Sequence, residues 1–408
     1  MSERVYIAQN ISCSLDQIFH CFSTDGQFEY EPVLDEFGPL NLSRVTRFIQ
    51  LLNRQIAKHP NHKIVYYSGT GMKNLTTAIF LLGAYMMIKH NETALSVKKS
   101  FEWIDEALIE PFHAASIDGS KGHEPLSLVD CWGALEQAKL LEWLRLPLSA
   151  EDGVWGKIDP DEYEHYHNPL NADLHQIVPG QLLVLTAPVN LEGRDYADDA
   201  SGVRRFSPSY LLSIFDELGV SGVASLGPPA YDPREFTAVG VAFAALETRS
   251  LSTALDQLLA ADDAAAGAVA VHAGRGGSET MATALAALFL VRRFGFTPRA
   301  AAAWVRICRP GPSAAAALPA VLRRSSSLLD EQYESPTGRP PAGSPRKGSS
   351  ALPAAAGAVP VVARAVLVAA RAAPPACGAG TVRATAVLVG RRGREDGGRT
   401  PRHGSEQM

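Results

Sequence analysis

The sequence predicts an α/β chain of two consecutive blocks, each a central sheet flanked by helices, followed by a disordered C-terminal tail. Three observations lead there. Short apolar runs of strand length alternate with longer runs at helical spacing, the pattern of sheet-and-helix layers. The 408 residues, 46% of them apolar, are enough to bury two cores. Past about residue 325 the composition turns to Ala, Pro, Gly, Ser and Arg with almost no aromatic residues, a mixture that buries too little to fold.

The elements follow in order. In the first block, residues 1–150, Leu42 to Lys58 has helical periodicity and Lys63 to Tyr67 reads as a buried strand. The glycine-bearing turn Ser68-Gly-Thr-Gly71 leads into Leu75 to Lys89, a run apolar nearly all round and too short to span a membrane. Residues 151–176, rich in Asp, Glu, His and Pro, read as an acidic interdomain linker. The second block, residues 177–325, places strands at Leu182 to Thr186, Gly222 to Leu226 and Gly267 to Val271, the last of them central. Its helices are Ser209 to Leu218, Thr283 to Phe294 and Thr297 to Ile307, with Pro298 in a first turn where its missing N–H costs little. Residues 326–408 form the tail.

Charge divides the chain unevenly. Residues 321–408 carry 13 basic and 6 acidic residues, a net of +7, so the rest carries −12 within the total of −5. An acidic body suits basic peptide partners and a basic tail suits acidic surfaces, although a solvated tail without a partner fits equally well. The start has no basic segment followed by a long apolar run, and no stretch of about 18 uncharged apolar residues occurs later. The five cysteines are scattered, with neither metal-ligand spacing nor a disulfide framework. The expectations are a soluble, non-secreted chain of nucleus or cytoplasm, with no cofactor, no metal, and no nucleic-acid or membrane partner.

Several segments, in order and at sensible spacing over roughly residues 20–313, carry a family resemblance. They are Phe37-Gly-Pro-Leu-Asn-Leu42, Leu82-Gly-Ala-Tyr85, Pro111-Phe-His-Ala-Ala-Ser116 and Asp130-Cys131 in the first block. Asp161-Glu-Tyr-Glu-His-Tyr166, Ile177-Val-Pro-Gly180, Glu235-Phe-Thr-Ala-Val-Gly240 and Trp304-Val-Arg-Ile-Cys-Arg-Pro-Gly311 continue them. Together they resemble the cell-division-cycle-fourteen family of dual-specificity protein phosphatases. The resemblance implies two tandem phosphatase-like domains, the first non-catalytic, with a substrate groove along their interface. It implies phosphoprotein partners with Ser-Pro sites and downstream basic residues.

Chemistry of this class needs a thiolate nucleophile on a strand-to-helix loop whose backbone N–H groups and Arg hold the phosphate. The family's loop reads His-Cys, five residues, Arg. Here the strand is followed by His272, Ala273, Gly274, Arg275, Gly276, Gly277 and Ser278. One alignment sets Ala273 to Gly276 against the family's Ala-Gly-x-Gly and drops Cys into a gap; a gap-free one puts Ala273 at the nucleophile and Glu279 at the Arg. Both lose both groups. A weak anion nest with Arg275 as its nearest cation, and a plain glycine-rich turn, remain alternative readings of what is left.

The other catalytic parts are also degraded. Where the family has its general-acid Asp, Ala245 to Ser252 offers only Glu247, which is either that acid or a solvent-facing carboxylate. No glutamine pair follows Gly311. In the tail, Cys377-Gly-Ala-Gly-Thr-Val-Arg383 repeats the Cys, five residues, Arg spacing. Pro374-Pro375 stands where the buried strand should be, and the hit reads as a coincidence of composition.

Two recognition features remain. Asp161, Glu162 and Glu164 lie where the resemblance implies that nearby acidic residues line the groove for a downstream basic residue; a solvated linker is the competing reading. Ser344-Pro-Arg-Lys347 fits a proline-directed cell-cycle kinase site, where a phosphate would reduce the tail's positive charge. The expected function is a pseudophosphatase binding protein. The alternatives are an active phosphatase whose loop is mis-stated in this sequence, and a scaffold acting through its N-terminal domain.

Overall fold

A computed structural model describes residues 4–11, 18–32, 34–115, 125–147 and 153–334, with side-chain surroundings given to residue 325. Cys377, Arg383 and Ser344 lie outside the described residues. No described helix is long and apolar enough to cross a membrane.

The first half is built on three parallel strands, β1 (Val5–Gln9), β2 (Phe19–Ser23) and β3 (Lys63–Ser68), in the order β1-β3-β2. Helix α1 (Leu42–Lys58) has the bounds its periodicity predicts, because Asn41 accepts the Arg44 N–H and caps its start. Helix α2 (Met72–His90) buries residues on every side, as its all-round apolarity requires. It ends at Asn91, in the left-handed conformation that closes helices. Helices α3 (Ala94–Phe101) and α4 (Leu128–Leu140) complete this half. Ser127 and Asp130 form a reciprocal capping box on α4. Gly83 is required where α2 and α4 meet: a Cβ there would lie 2.3 Å from the Trp132 indole nitrogen.

The segment from 151 to 176 contains helix α5 (Pro160–His167), capped by Asp159, and the start of β4 (Leu174–Val178). Beyond it are β5 (Leu182–Leu185), the small hairpin β6 (Tyr196–Asp198) and β7 (Arg204–Phe206), α6 (Pro208–Glu217) and β8 (Val220–Leu226). Then come α7 (Arg234–Thr237), β9 (Ala242–Leu246), α8 (Leu251–Ala264), β10 (Ala268–Ala273), α9 (Glu279–Phe294), α10 (Pro298–Cys308) and α11 (Pro312–Glu334). The main sheet has the order β4-β5-β10-β8-β9, parallel except for β4. Strand β10 is central, as its uninterrupted apolar run predicts. Helix α9 begins at Glu279, four residues before the predicted Thr283, because Ser278 caps it by accepting the Met281 N–H. Helix α11 runs past residue 325 to Glu334, so the backbone stays helical beyond the expected start of the tail.

One apolar core runs through both halves. Trp143, after α4, packs on Phe294, Phe296 and Trp304 with ring centroids 4.9, 5.9 and 5.9 Å away. Polar ties reinforce the junction. Arg299 grips Asp130 with two hydrogen bonds of 3.0 and 2.9 Å, and Trp304 donates to the Ile177 carbonyl at 2.8 Å. Buried Arg306 donates 2.7 Å bonds to both the Phe37 and His113 carbonyls. Cys131 and Cys308 are buried free thiols whose pKa burial pushes up, whereas Cys21 is disulfide-bonded, which the scattered cysteine spacing did not suggest.

Candidate functional site

Open α/β sheets bind ligands beyond the carboxyl ends of their strands. The turn after central β10 is therefore where chemistry belongs. His272, the last buried residue of that strand, donates from Nδ1 to the Ala273 carbonyl at 3.1 Å, so Nε2 accepts from the Tyr231 hydroxyl at 2.8 Å. Burial pushes its pKa down to about 4. The imidazole is neutral and structural.

The loop does not cradle an anion with the amides that follow. Gly274 N–H donates to the Leu226 carbonyl at 2.8 Å, Arg275 N–H to Pro228 at 2.6 Å and Gly277 N–H to Gly274 at 3.1 Å. The glycines serve this packing: a Cβ on Gly274 would lie 2.5 Å from the Gly227 carbonyl oxygen, and one on Gly277 2.3 Å from that of Leu226. Each amide spent on a protein carbonyl is lost to a phosphate. Of the two readings of the loop, the glycine-rich turn describes these three positions.

The position beside the first turn of α9 is taken by the protein itself. Arg309, buried just after α10, donates to the Glu279 carboxylate at 2.6 Å and to the Thr283 hydroxyl at 2.9 Å. Burial raises the Glu279 pKa while Arg309 pulls it back. A fixed carboxylate here repels a phosphate dianion, and it has already claimed the arginine. No local signal assigns Arg309 a role. Only the return of α10 against α9 brings it to this turn.

Next to Arg309 stands a second cluster that sequence reasoning missed. Asp173 accepts from His175 Nε2 at 3.0 Å and also from the Thr186 hydroxyl, and the Nδ1 atoms of His175 and His167 are 3.2 Å apart. Burial, then the neighbouring His175, depresses His167 to about 4. Burial would raise Asp173, but the His175 hydrogen bond and the charges of His175 and Arg309 outweigh it and hold the carboxyl low. The Asp-x-His spacing was the available signal, though nothing local marks it as converging with His167. The described residues contain no group of three side chains placed to hold a metal ion.

These residues form one wall of a cleft of about 510 Å³ between the two halves. Its charged lining is Glu29, Glu31, Glu164 and Asp173 against Arg44, an acidic balance. Of the three predicted groove carboxylates, only Glu164 reaches it, and it is shared with Arg47 at 2.6 Å and the Ser43 hydroxyl at 2.8 Å. Asp161 points to solvent and pairs with Arg47 at 3.2 Å. Glu162 turns the other way and accepts from Gln176 at 2.7 Å. The helical period separates them, since neighbouring positions on α5 face different directions.

Glu247, the general-acid candidate, folds back on its own chain and accepts the Thr248 and Arg249 N–H groups at 2.8 and 2.9 Å. Those bonds, Arg249's first, lower its pKa. It is held ionised with no proton to give.

Comparison with known proteins bears on the family of the chain. The family model described as "Dual specificity protein phosphatase, N-terminal half" matches residues 1–138. The human dual specificity protein phosphatase CDC14C is 30% identical over 300 residues, which are 72% of this chain and 62% of that protein. Mouse CDC14B is 29% identical over 300 residues, 72% of this chain and 58% of that protein. The chain thus spans between 58% and 62% of the length of these two relatives. Among solved structures, Tk-PTP in its active form aligns at 16% identity and a TM-score of 0.28, over 38% of this chain and 97% of that one. With the ordered motifs from Phe37 to Gly311, the sequence matches show that the chain belongs to the CDC14 family of dual specificity protein phosphatases.

Proposed function

We propose that this chain is a non-hydrolytic member of its family, a protein-binding body that engages basic segments of partner proteins through the acidic cleft between its halves. The observation that carries the reading is the state of the loop after β10. Ala273 supplies no sulfur, the amides of Gly274, Arg275 and Gly277 are spent on protein carbonyls, and Glu279 occupies Arg309. A cysteinyl-phosphate needs a thiolate, and its transition state needs donors aimed at developing charge. Both requirements go unmet.

The cleft supports the partner class. Carboxylates from β2's following loop and from α5 face one space, and Lys or Arg meets carboxylates with charge-assisted hydrogen bonds. The family's phosphoprotein substrates suggest Ser-Pro segments with a basic residue downstream, bound here without turnover, in the nucleus or cytoplasm. A cell-cycle kinase acting on Ser344 would modify the tail.

The test is hydrolysis of p-nitrophenyl phosphate by purified protein of this sequence, with and without vanadate. Only background hydrolysis is expected. Vanadate-sensitive turnover overturns the proposal.

A further inference from the structure

One wall of the cleft between the halves carries an imidazole of which only one nitrogen is used. His167, the last residue of α5, lines the cleft and stacks on Tyr163 with ring centroids 5.7 Å apart. The positions of the protons along its hydrogen-bond chain follow from Asp173. That carboxyl is held ionised and accepts from His175 Nε2 at 3.0 Å, so the proton of neutral His175 sits on Nε2 and its Nδ1 is bare. The 3.2 Å bond between the two Nδ1 atoms is then donated by His167. Burial keeps the His167 ring neutral as well, and a neutral ring protonated at Nδ1 has a lone pair on Nε2. No described residue donates to that lone pair.

The surroundings of the nitrogen supply acceptors and spent donors. Arg309, whose charge reaches both histidines, is held by Glu279 and the Thr283 hydroxyl. Arg44, the cation of the lining, donates Nη1 to the Gln27 carbonyl at 2.7 Å and lies 6.0 Å over the Phe28 ring. A phosphate monoester dianion only accepts hydrogen bonds. Here it would meet a bare imidazole nitrogen among the four carboxylates of the lining, with net repulsion. A hydroxyl, by contrast, donates the one proton that Nε2 lacks and brings no charge to be stripped of water beside the prolines of the same wall.

We infer that this part of the cleft binds the uncharged side-chain hydroxyl of a serine or threonine on an unphosphorylated partner segment, donated to His167 Nε2, and rejects the same segment once it is phosphorylated. The inference rests on the cleft being the partner-binding surface proposed above, and it names the form of the partner taken there: the product of phosphatase chemistry and not its substrate. A hydroxyl held in this way is shielded from a kinase, so the protein acts on the phosphorylation state of its partners without hydrolysing anything.

The test is calorimetric titration of the full chain, at low ionic strength, with three acetylated and amidated peptides that differ at one position: Ala-Ala-Ser-Pro-Ala-Lys-Ala, its phosphoserine form and its alanine form. The serine peptide should bind at least ~10-fold more tightly than the phosphoserine peptide, and added salt should shrink that difference. It should bind about 3- to 10-fold more tightly than the alanine peptide. His167→Phe, which keeps a ring against Tyr163, should abolish the preference for serine over alanine and leave the discrimination against phosphoserine, which the carboxylates supply. In nitrogen NMR spectra of the histidine-labelled parent, which need no variant to fold, the serine peptide should move the His167 Nε2 signal and the alanine peptide should not. Phosphoserine binding as tightly as serine, serine matching alanine, or an unmoved Nε2 signal at saturation would overturn the inference. Equal binding of all three peptides removes this inference and leaves the cleft as a binding surface, whereas binding of none removes both; neither result bears on the hydrolysis test.

Discussion

His272 shows how far one side chain's setting departs from its sequence context. In the motif it stands where the family's loop histidine stands, yet here it is sealed between Tyr231 and its own strand. Its folded pKa of about 4 lies below the ordinary 6.5, so between those values the unfolded chain binds more protons. Stability should be complete above pH 6.5 and be lost as pH falls towards 4, by roughly 3 kcal/mol from this group. Denaturant titrations across that range should show the loss, and His272→Gln should remove this group's share of it while His167, depressed to the same value, keeps its own; an equal slope in the variant would assign the effect to other groups. The loop makes a second prediction. Ala273→Cys by itself should leave p-nitrophenyl phosphate hydrolysis at background, because Glu279 still holds Arg309 and the loop amides still face Leu226 and Pro228. Vanadate-sensitive turnover in that variant would show that sulfur was the only missing part.

Among elements, α2 was the most legible, since a run apolar on all sides has nowhere to go but the interior. What could not be read was its neighbour. Gly83 looks like a weak point in a helix until Trp132 is seen lying against it, donating to the Phe80 carbonyl at 3.3 Å. Gly83→Ala should raise helix propensity and still destabilise the protein by about 1–3 kcal/mol, because the indole must move. A urea melt reads this directly, and a stabilised variant would mean the packing yields cheaply. Helix α5 was hidden for the opposite reason. Its sequence is so polar that it read as a linker, and its helicity shows only in the Asp159 cap, the Pro160 start and the packing of Tyr163 and Tyr166.

At the scale of the whole molecule, the junction between the halves is core rather than contact. Trp143 packs on Trp304, Arg299 on Asp130, and the Tyr163 hydroxyl donates to the Cys308 carbonyl at 2.5 Å. Two expectations follow. The full chain should unfold in one cooperative transition, seen as coincident fluorescence and circular dichroism curves. Residues 1–150 alone should fail to give a cooperative transition, because Trp143 and Leu144 would be stripped of the helices that bury them. A well-folded fragment would revive the scaffold reading, in which the N-terminal half acts by itself.

The layers, the centrality of β10, the family and the identity of Ala273 after His272 were legible in the sequence, because each is written in local pattern or in a single residue's identity. The sequence also marked the loop as glycine-rich. Tertiary structure alone decided what those glycines are for, which of Asp161, Glu162 and Glu164 faces the cleft, and that Arg309 is already engaged by Glu279. The physical reason is that hydrogen-bond and charge partners far apart in the chain meet only when α10 returns against α9 and α5 docks on α1. Residue types fix which groups are available, but which of them are already spent depends on what the fold sets beside them.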